Sequence, residues 1–252
     1  MSALVSIITP LYNSEQFILE TIASVQKQTY ENWEMLIVDD CNKDQSAEIV
    51  QIESDKDPRI KLFHNKENLG AGPSRNVAIK LATGKYIAFL DSDDIWHPQK
   101  LEIHVAYMQK HNASFSHTSY GYMDEDGSLI KSTYHVSSSP VSYRDLLKRT
   151  EIGCLTAMYD CEKIGKFYMP DMRRKQDYAL WLSILKTGVV SMPLDQELAW
   201  YRQRVVSNTS NKSRLIISHW KFLRQHEKLN IVESCYYLTC WALGGFVKFY
   251  LK

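Results

Sequence analysis

Hydrophobic and polar residues alternate along the first part of the chain in two different rhythms. Apolar runs of four or five residues lie at positions 5–9, 35–38, 60–63 and 86–90. Runs of this length are typical of strands that are buried on both faces of a sheet. The pattern therefore predicts a series of buried strands.

Between these runs the apolar residues recur with a helical period. The first predicted helix has its apolar face at Ile18, Ile22 and Val25. Asn13 or Ser14 is placed to cap its first turn. A polar stretch before residue 57 predicts a second helix, and residues 74–82 predict a third after a turn at 68–73. Strands and helices in this order predict an α/β fold with a mostly parallel sheet covered on both faces.

The predicted strands end in polar segments. Residues 10–13, 39–40 and 91–94 directly follow the first, second and fourth apolar runs. The carboxyl ends of parallel strands lie at one edge of a sheet, and ligands bind outside that edge. We therefore expect these segments to form one site.

The second half of the chain has a weaker pattern. Residues 98–111 predict a helix, and residues 120–132 predict a hairpin around Asp126 and Gly127. Residues 137–140 predict a loop, and residues 153–159 predict a further strand.

Composition and charge narrow the classes of function. The 252 residues, of which 44% are hydrophobic and 23% charged, suit one large domain or one domain with a small appendage. The formal net charge of +1 gives no overall positive field, so nucleic acid is not expected as a partner. The N-terminus lacks the basic region of a secretory signal, which favours a cytoplasmic location.

The acidic segment after the fourth run is a candidate metal site. Asp91, Ser92, Asp93 and Asp94 follow one another there. Carboxylate oxygens suit hard divalent ions such as Mg²⁺ or Mn²⁺, and such an ion can neutralise a diphosphate leaving group. Acid pairs are common, however, and a solvated loop that ends a strand is an equally good interpretation of these residues alone.

Other polar residues at the same edge are compatible with a nucleotide. A carboxylate of Asp39 or Asp40 can accept a hydrogen bond from a base or a ribose. Tyr12 can stack on a base or be a half-buried loop residue. Arg75 follows a glycine-containing turn, where it can meet a phosphate or form a surface salt bridge.

Together these segments resemble the family 2 glycosyltransferases of the GT-A fold, of the bacterial surface-polysaccharide type. The resemblance rests on four motifs in order, at residues 5–13, 37–40, 68–76 and 84–94. It implies a Rossmann-like nucleotide-binding half, an acceptor half and a C-terminal helical tail. We expect a catalytic domain at 1–210, divided at residues 95 and 96, and a C-terminal segment at 211–252.

The resemblance also implies roles for single residues in the donor site. Contacts with the nucleotide sugar are implied for Pro10, Tyr12, Asp39, Asp40, Arg75, Asp91, Ser92 and Arg202. Asp93 is implied as the direct ligand of Mn²⁺ or Mg²⁺, with Asp91 as the second. Arg204 is an alternative to Arg202, because either can hold the diphosphate when a loop containing residues 207–210 closes.

Asp177 matches the catalytic base of the family. Inverting transfer needs a carboxylate opposite the leaving group to take the proton of the acceptor hydroxyl. Gln176 stands where the family usually has a glutamate, so the supporting role of that neighbour is in doubt. By itself, Asp177 can equally be the cap of the following helix.

The C-terminal segment combines basic residues with an apolar, aromatic run at 236–251. The run is shorter than the ~20 residues that span a bilayer. It suits a helix that lies on an anionic membrane surface, or one that packs on the domain or on a partner chain.

These observations predict an inverting enzyme that moves a hexose or N-acetylhexosamine from a nucleoside-diphosphate sugar, first of all a UDP-sugar. The expected acceptor is a saccharide on a lipid carrier, and the expected place is the cytoplasm or the cytoplasmic face of the inner membrane. A sugar nucleotidyltransferase would need a glycine-rich, arginine-containing loop after the first strand, where residues 9–13 offer none. A non-catalytic nucleotide-sugar-binding relative or scaffold, for which Gln176 is the only support, is the remaining alternative.

Overall fold

The computed structural model describes residues 2–204 and 212–250, and a nine-stranded sheet runs through them. Its first four strands are parallel and lie in the order β3-β2-β1-β4. They are β1 (Val5–Leu11), β2 (Trp33–Asp39), β3 (Ile60–His64) and β4 (Tyr86–Phe89). Every residue of β1, β2 and β4 is buried, which explains their uninterrupted apolar runs and confirms the predicted strands.

Three helices connect these strands, as the sequence predicts: α1 (Ile18–Gln26), α2 (Ser46–Lys56) and α3 (Ala71–Leu81). Ile18, Ile22 and Val25 are buried, as expected for the apolar face of α1.

Two predicted helix starts are wrong. The residue that precedes α1 is Phe17, and neither Asn13 nor Ser14 caps that helix with its side chain. Helix α3 begins at Ala71 and not at Ser74, since Pro73 falls in its first turn, where a missing N–H costs no helical hydrogen bond.

The second half of the chain extends the sheet with strands of mixed direction. Its elements are β5 (Ile95–Trp96), α4 (Lys100–Lys110), β6 (Phe115–Met123), β7 (Leu129–Tyr134), α5 (Tyr143–Lys148), β8 (Met158–Asp160), α6 (Cys161–Ile164), α7 (Gln176–Leu185) and β9 (Ser191–Arg202). β8 lies antiparallel between β4 and β6, and β9 runs parallel to β6. The predicted hairpin is β6–β7. The strand predicted at 153–159 is only partly present, because Cys154–Thr156 forms a 3-10 helix before β8.

The C-terminal part consists of α8 (Lys212–Lys221), a π-helical turn (Phe222–His226) and α9 (Ile231–Tyr250). Phe222, Leu223 and Tyr237 are buried in the same apolar core as α5 and α7. Other apolar residues stay exposed: Ile216, Ile217, Ile231, Val232, Tyr236 and Leu243. Among the described residues, no helix is long and apolar enough to cross a membrane.

A buried carboxylate on β2 joins several elements of the parallel part of the sheet. Oε1 of Glu34 accepts hydrogen bonds from the Ser6 hydroxyl (2.7 Å) and from the Thr83 N–H and hydroxyl (2.8 Å each). Its Oε2 accepts one from Lys61 Nζ (2.8 Å). Burial would raise the pKa of Glu34, but these hydrogen bonds outweigh burial and lower the pKa from 4.5 to about 2.

We predict that Glu34→Gln lowers the free energy of unfolding at pH 7 by about 2 kcal/mol, because the lost charge weakens several buried hydrogen bonds. A depressed pKa stabilises the fold above pH 4.5, and this contribution is lost as the pH falls towards 2. The difference between wild type and variant should therefore shrink between pH 7 and pH 3 in urea unfolding. Exposed Glu31→Gln is the matched control. Equal effects of both substitutions would contradict this assignment.

Candidate active site

The carboxyl ends of β1, β2 and β4 surround a cavity of about 190 Å³. It is lined by Pro10, Leu11, Tyr12, Ser14, Asp40, Ala71, Arg75, Asp91, Ser92, Asp93 and Arg204. Seven of the residues predicted for the site therefore lie around one space. We call it the donor cavity.

The turn after β1 holds Tyr12 at the donor cavity. Asn13 has a left-handed backbone (φ 49°), and its Oδ1 accepts the N–H of Lys43 (2.9 Å). Its own N–H donates to Asn42 Oδ1 (2.5 Å). Tyr12 is 43% exposed, so its ring is free to stack on a planar ligand.

The two aspartates at the end of β2 have different surroundings. Asp40 lines the donor cavity, and its oxygens accept from the N–H groups of Leu69 (2.8 Å) and Gly70 (2.7 Å). Asp40 thus fixes the turn that starts α3. Asp39 does not line this cavity. It accepts from Asn42 (2.8 Å to the backbone N–H) and from His64 Nδ1 (2.9 Å).

An ion pair joins the buried Arg75 to the half-buried Asp91, and both residues line the donor cavity. Arg75 of α3 is 6% exposed, and its Nη2 donates to Asp91 Oδ1 at 2.5 Å. Burial would lower the pKa of Arg75, but the Asp91 carboxylate outweighs burial and raises it. Among the described residues, Nε of Arg75 has no hydrogen-bond partner.

Negative charge is crowded at the end of β4. Burial raises the pKa of the Asp93 carboxyl, and the charge of Asp91 raises it further. Burial likewise raises the pKa of Asp94 well above its usual range, with Asp93 and Asp91 adding to the effect. Arg204 Nε lies 3.5 Å from Asp93 Oδ2 and offsets part of this charge.

The carboxylates at the end of β4 suit a hard divalent cation whose remaining coordination positions are filled by a bound substrate. In residues 2–204 and 212–250, no group of three or more His, Cys, Asp or Glu side chains is arranged to hold a metal alone. Asp91 and Asp93 nevertheless line the same cavity. Mg²⁺ in proteins is commonly held by one or two carboxylates together with substrate phosphates. A cation there would relieve the crowded negative charge.

A second cavity of about 480 Å³ shares Arg75 and Asp91 with the donor cavity. Its other lining residues are Asp94, Tyr120, Tyr122, Gly153, Cys154, Leu155, Gln176, Asp177 and Tyr201. We call it the acceptor-side cavity. The predicted base thus lies across the Arg75–Asp91 pair from the donor cavity.

Asp177 lies in the first turn of α7 and is half-buried. Burial raises the pKa of its carboxyl, and Arg75 moderates this rise. Asp177 is not the N-cap of the helix, because Lys175 occupies that position with a left-handed backbone (φ 63°). The side chain of Gln176 packs against Gly72, where an added Cβ would lie 3.0 Å from Gln176 Cγ.

The guanidinium of Arg202 contacts other residues of the protein and holds neighbouring segments together. Its Nε donates to the carbonyl of Asp93 (2.8 Å), Nη1 donates to the carbonyl of Glu125 (3.0 Å), and Nη2 pairs with Glu20. It does not line the donor cavity, whereas Arg204 does. The loop predicted to close over the diphosphate, at 207–210, lies outside the described residues.

Sequence reasoning missed the aromatic wall of the acceptor-side cavity. Tyr120 and Tyr122 are two residues apart on β6, and Tyr201 lies on the neighbouring strand β9. Residues two apart on a strand point to one face, so the spacing of the tyrosines was a usable signal. Cys154 could not have been predicted to line this cavity, because it reaches the cavity only through the 3-10 helix before β8.

Comparison with known proteins agrees with this geometry. Residues 6–164 match the sequence model of the family described as Glycosyl transferase family 2. The chain is 41% identical over 245 residues to TuaG of Bacillus subtilis, named for teichuronic acid biosynthesis, covering 97% of each protein. It is 39% identical over 246 residues to WfgD of Escherichia coli, covering 97% of this chain and 94% of the relative. That relative is named a UDP-Glc:α-D-GlcNAc-diphosphoundecaprenol β-1,3-glucosyltransferase.

Solved structures share the fold at lower identity. The TarS fragment of Staphylococcus aureus in complex with UDP superposes with a TM-score of 0.69 at 22% identity, covering 98% of this chain and 72% of that one. The mannosyltransferase PcManGT of Pyrobaculum calidifontis, in complex with GDP-Man and Mn²⁺, superposes with a TM-score of 0.68 at 16% identity, covering 99% and 71%. Both the match over residues 6–164 and the nearly full-length relatives show that this GT-A-fold chain belongs to glycosyltransferase family 2.

Proposed function

We propose that this glycosyltransferase moves a hexose or N-acetylhexosamine from a nucleoside-diphosphate sugar to a hydroxyl of a lipid-linked saccharide, with inversion. The observation that carries the proposal is the pair of cavities on either side of Arg75 and Asp91. One has carboxylates suited to a metal and a diphosphate, and the other has a single carboxylate suited to a base.

The names of the relatives supply the substrate class. WfgD is named for a UDP-glucose donor and a GlcNAc-diphosphoundecaprenol acceptor. TuaG is named for teichuronic acid biosynthesis. We infer that a UDP-sugar and a saccharide on a lipid diphosphate are the substrates of this chain, and that surface-glycan synthesis is its role.

In the donor cavity, Tyr12 would stack on the base, and Pro10 and Asp40 would contact the nucleoside. Asp39 supports these contacts through the loop that it anchors. Ser92 remains a predicted contact of the nucleotide sugar. Arg202 remains a predicted contact of the diphosphate, with Arg204 as the alternative that already lines the cavity.

Asp93, with Asp91 as second ligand, would hold the metal. Mn²⁺ or Mg²⁺ bound there would neutralise the charge that develops on the diphosphate as the glycosidic bond breaks. Arg75 keeps the carboxylate of Asp91 in place and lines both cavities.

Asp177 would take the proton from the acceptor hydroxyl as that oxygen attacks the anomeric carbon. A base works best when its pKa approaches the working pH, and burial moves the pKa of Asp177 upwards. The aromatic wall formed by Tyr120, Tyr122 and Tyr201 would pack on a sugar ring. A non-catalytic role is not favoured, because the relatives are named as transferases and Asp177 is present.

We also propose that residues 1–210 form the catalytic domain, with 1–95 for the donor and 96–210 for the acceptor, and that residues 211–252 are a C-terminal accessory. The exposed apolar side chains of α8 and α9 would rest on an anionic membrane surface. The enzyme would then work at the cytoplasmic face of the inner membrane, where lipid-linked acceptors are embedded.

We predict that Asp93→Ala abolishes metal-dependent binding of UDP, because the direct carboxylate ligand is lost. Titration calorimetry with UDP, with and without Mn²⁺, would measure the effect. Asp55→Ala removes an exposed carboxylate from α2 and should change nothing. Metal-stimulated binding that survives in Asp93→Ala would remove this residue from the metal site.

Asp177→Asn should keep UDP affinity within about twofold of wild type and lower kcat at least about a hundredfold, since the base is lost and the shape is kept. Nucleotide release would be measured across a panel of UDP-sugar donors. The base must be ionised, so the acid limb of the wild-type kcat/KM profile should lie above the usual pKa of 3.8. Exposed Asp171→Asn is the matched control, and normal turnover of Asp177→Asn would rule out its role as base.

Ile231→Ser combined with Val232→Ser should reduce the recovery of the protein with phosphatidylglycerol vesicles, because these side chains are 62% and 77% exposed. Thermal unfolding should be unchanged. Leu129→Ser, at a 58% exposed site on the hairpin, is the control for lost surface apolarity. Recovery equal to wild type would argue against membrane contact through α9.

A further inference from the structure

A third cavity, of about 330 Å³, lies between the segment that precedes α7 and the C-terminal helices. Its charged lining residues are basic: Arg173, Arg174, Lys175 and Lys221, with His226 beside them. Met172 and Phe222 supply apolar walls, and no acidic side chain lines it. We call it the basic cavity.

Three of these basic side chains are not neutralised by an acidic partner among the described residues. Lys175 already has a partner, because its Nζ lies 2.6 Å from Nδ1 of the buried His219. Arg173, Arg174 and Lys221 are exposed, and within residues 2–204 and 212–250 they form no ion pair.

The nearby acids do not cancel this positive charge. Glu227 lies next to His226, but its Oε2 pairs with Lys186 Nζ at 2.9 Å and accepts from the Tyr143 hydroxyl at 2.5 Å. Asp171 is exposed and does not line the cavity. The basic cavity is therefore suited to an anion with several oxygens.

The position of the cavity relates it to the reaction. Lys175 lines the basic cavity, and Asp177, two residues later, lines the acceptor-side cavity. Consecutive Cα atoms are about 3.8 Å apart, so these two residues lie within about 7.6 Å of each other along the chain. The basic cavity and the acceptor-side cavity therefore adjoin at the start of α7.

Exposed apolar side chains adjoin the basic cavity on α8. Ile217 lies one helical turn before Lys221 on α8 and is 55% exposed. Residues four apart share a helix face, so apolar and basic side chains adjoin there. A phosphate on the basic residues could therefore carry its lipid chain along α8.

We propose that the basic cavity binds the diphosphate group of the lipid-linked acceptor, with Arg173, Arg174 and Lys221 on its oxygens and the acceptor sugar extending to Asp177. This rests on the proposed function, since it requires a sugar diphosphate as acceptor. The two diphosphates of the reaction are then held by opposite means. That of the donor needs a cation among carboxylates, and that of the acceptor needs only side-chain cations.

Two acceptors with the same sugar test the proposal kinetically. One is the sugar diphosphate ester of a short alkyl alcohol, and the other is the uncharged alkyl glycoside. In the full-length chain, Arg173→Ala with Arg174→Ala, and separately Lys221→Ala, should raise KM for the diphosphate acceptor at least about tenfold. KM for the alkyl glycoside and for the donor should stay unchanged. Lys110→Ala, which removes an exposed charge from the end of α4, is the control.

A binding measurement does not depend on transfer. A short alkyl diphosphate without sugar should bind the wild-type chain in the presence of EDTA and should bind the double arginine variant at least about tenfold more weakly. Failure of the proposed function would appear as no transfer from any donor in the panel, with this binding intact. Binding that needs Mn²⁺, or that the variants leave unchanged, would overturn the basic cavity alone.

A phospholipid headgroup is the other source of the same chemistry. The fraction of each variant that is recovered with phosphatidylglycerol vesicles, compared with phosphatidylcholine vesicles, distinguishes a phospholipid headgroup from the diphosphate of the acceptor. The proposal expects the variants to lose affinity for the diphosphate acceptor in the absence of any vesicle. It is overturned if they lose only recovery with phosphatidylglycerol, or if KM rises equally for both acceptors.

Discussion

The ion pair between the buried Arg75 and the half-buried Asp91 is the contact on which both the donor cavity and the acceptor-side cavity depend. It joins α3 to the end of β4 and forms part of the wall of each cavity. A buried ion pair often adds little to stability, because taking both charges out of water costs about as much as their attraction gains. Its value here is geometric. The guanidinium holds one carboxylate in place, and it moderates the rise that burial causes in the pKa of a second carboxyl, that of Asp177.

A second link joins strand β9 to the acidic segment that follows β4. The backbone N–H of Arg202 donates to Asp94 Oδ1 (2.9 Å), and its guanidinium donates to the Asp93 carbonyl (2.8 Å). Strand β9 is thereby tied to the loop that carries the candidate metal ligands. The chain then brings Arg204 to 3.5 Å from Asp93. An arginine that orders the backbone and one that faces the cavity are thus two residues apart, which sequence motifs do not distinguish.

Strands β1, β2 and β4 were predictable because they are buried on both faces, so that local composition and tertiary burial agree. The predictions failed where contacts between residues far apart in the sequence determine the local structure. Ser14 does not cap α1 because its hydroxyl lies 2.8 Å from the hydroxyl of Ser92. Asn13 does not cap it because its Oδ1 accepts the N–H of Lys43. The position of β8 between β4 and β6 also could not be predicted from the local sequence, because a strand of three residues is too short to show a hydrophobic period. Most predicted donor residues met in one cavity because parallel strands end at one edge.

The C-terminal helices contribute to the position of the candidate base. Lys175 has a left-handed backbone directly before α7, a conformation that a residue with a side chain adopts only when its surroundings hold it. Burial lowers the pKa of His219 to about 3, so its neutral ring can accept the hydrogen bond from Lys175 Nζ. His219 in turn stacks on Trp241 of α9, with ring centroids 4.3 Å apart. The segment whose outer face is apolar therefore supports, through its inner face, the helix that carries Asp177. The surface proposed to contact lipid and the support of the candidate base therefore belong to the same two helices, α8 and α9.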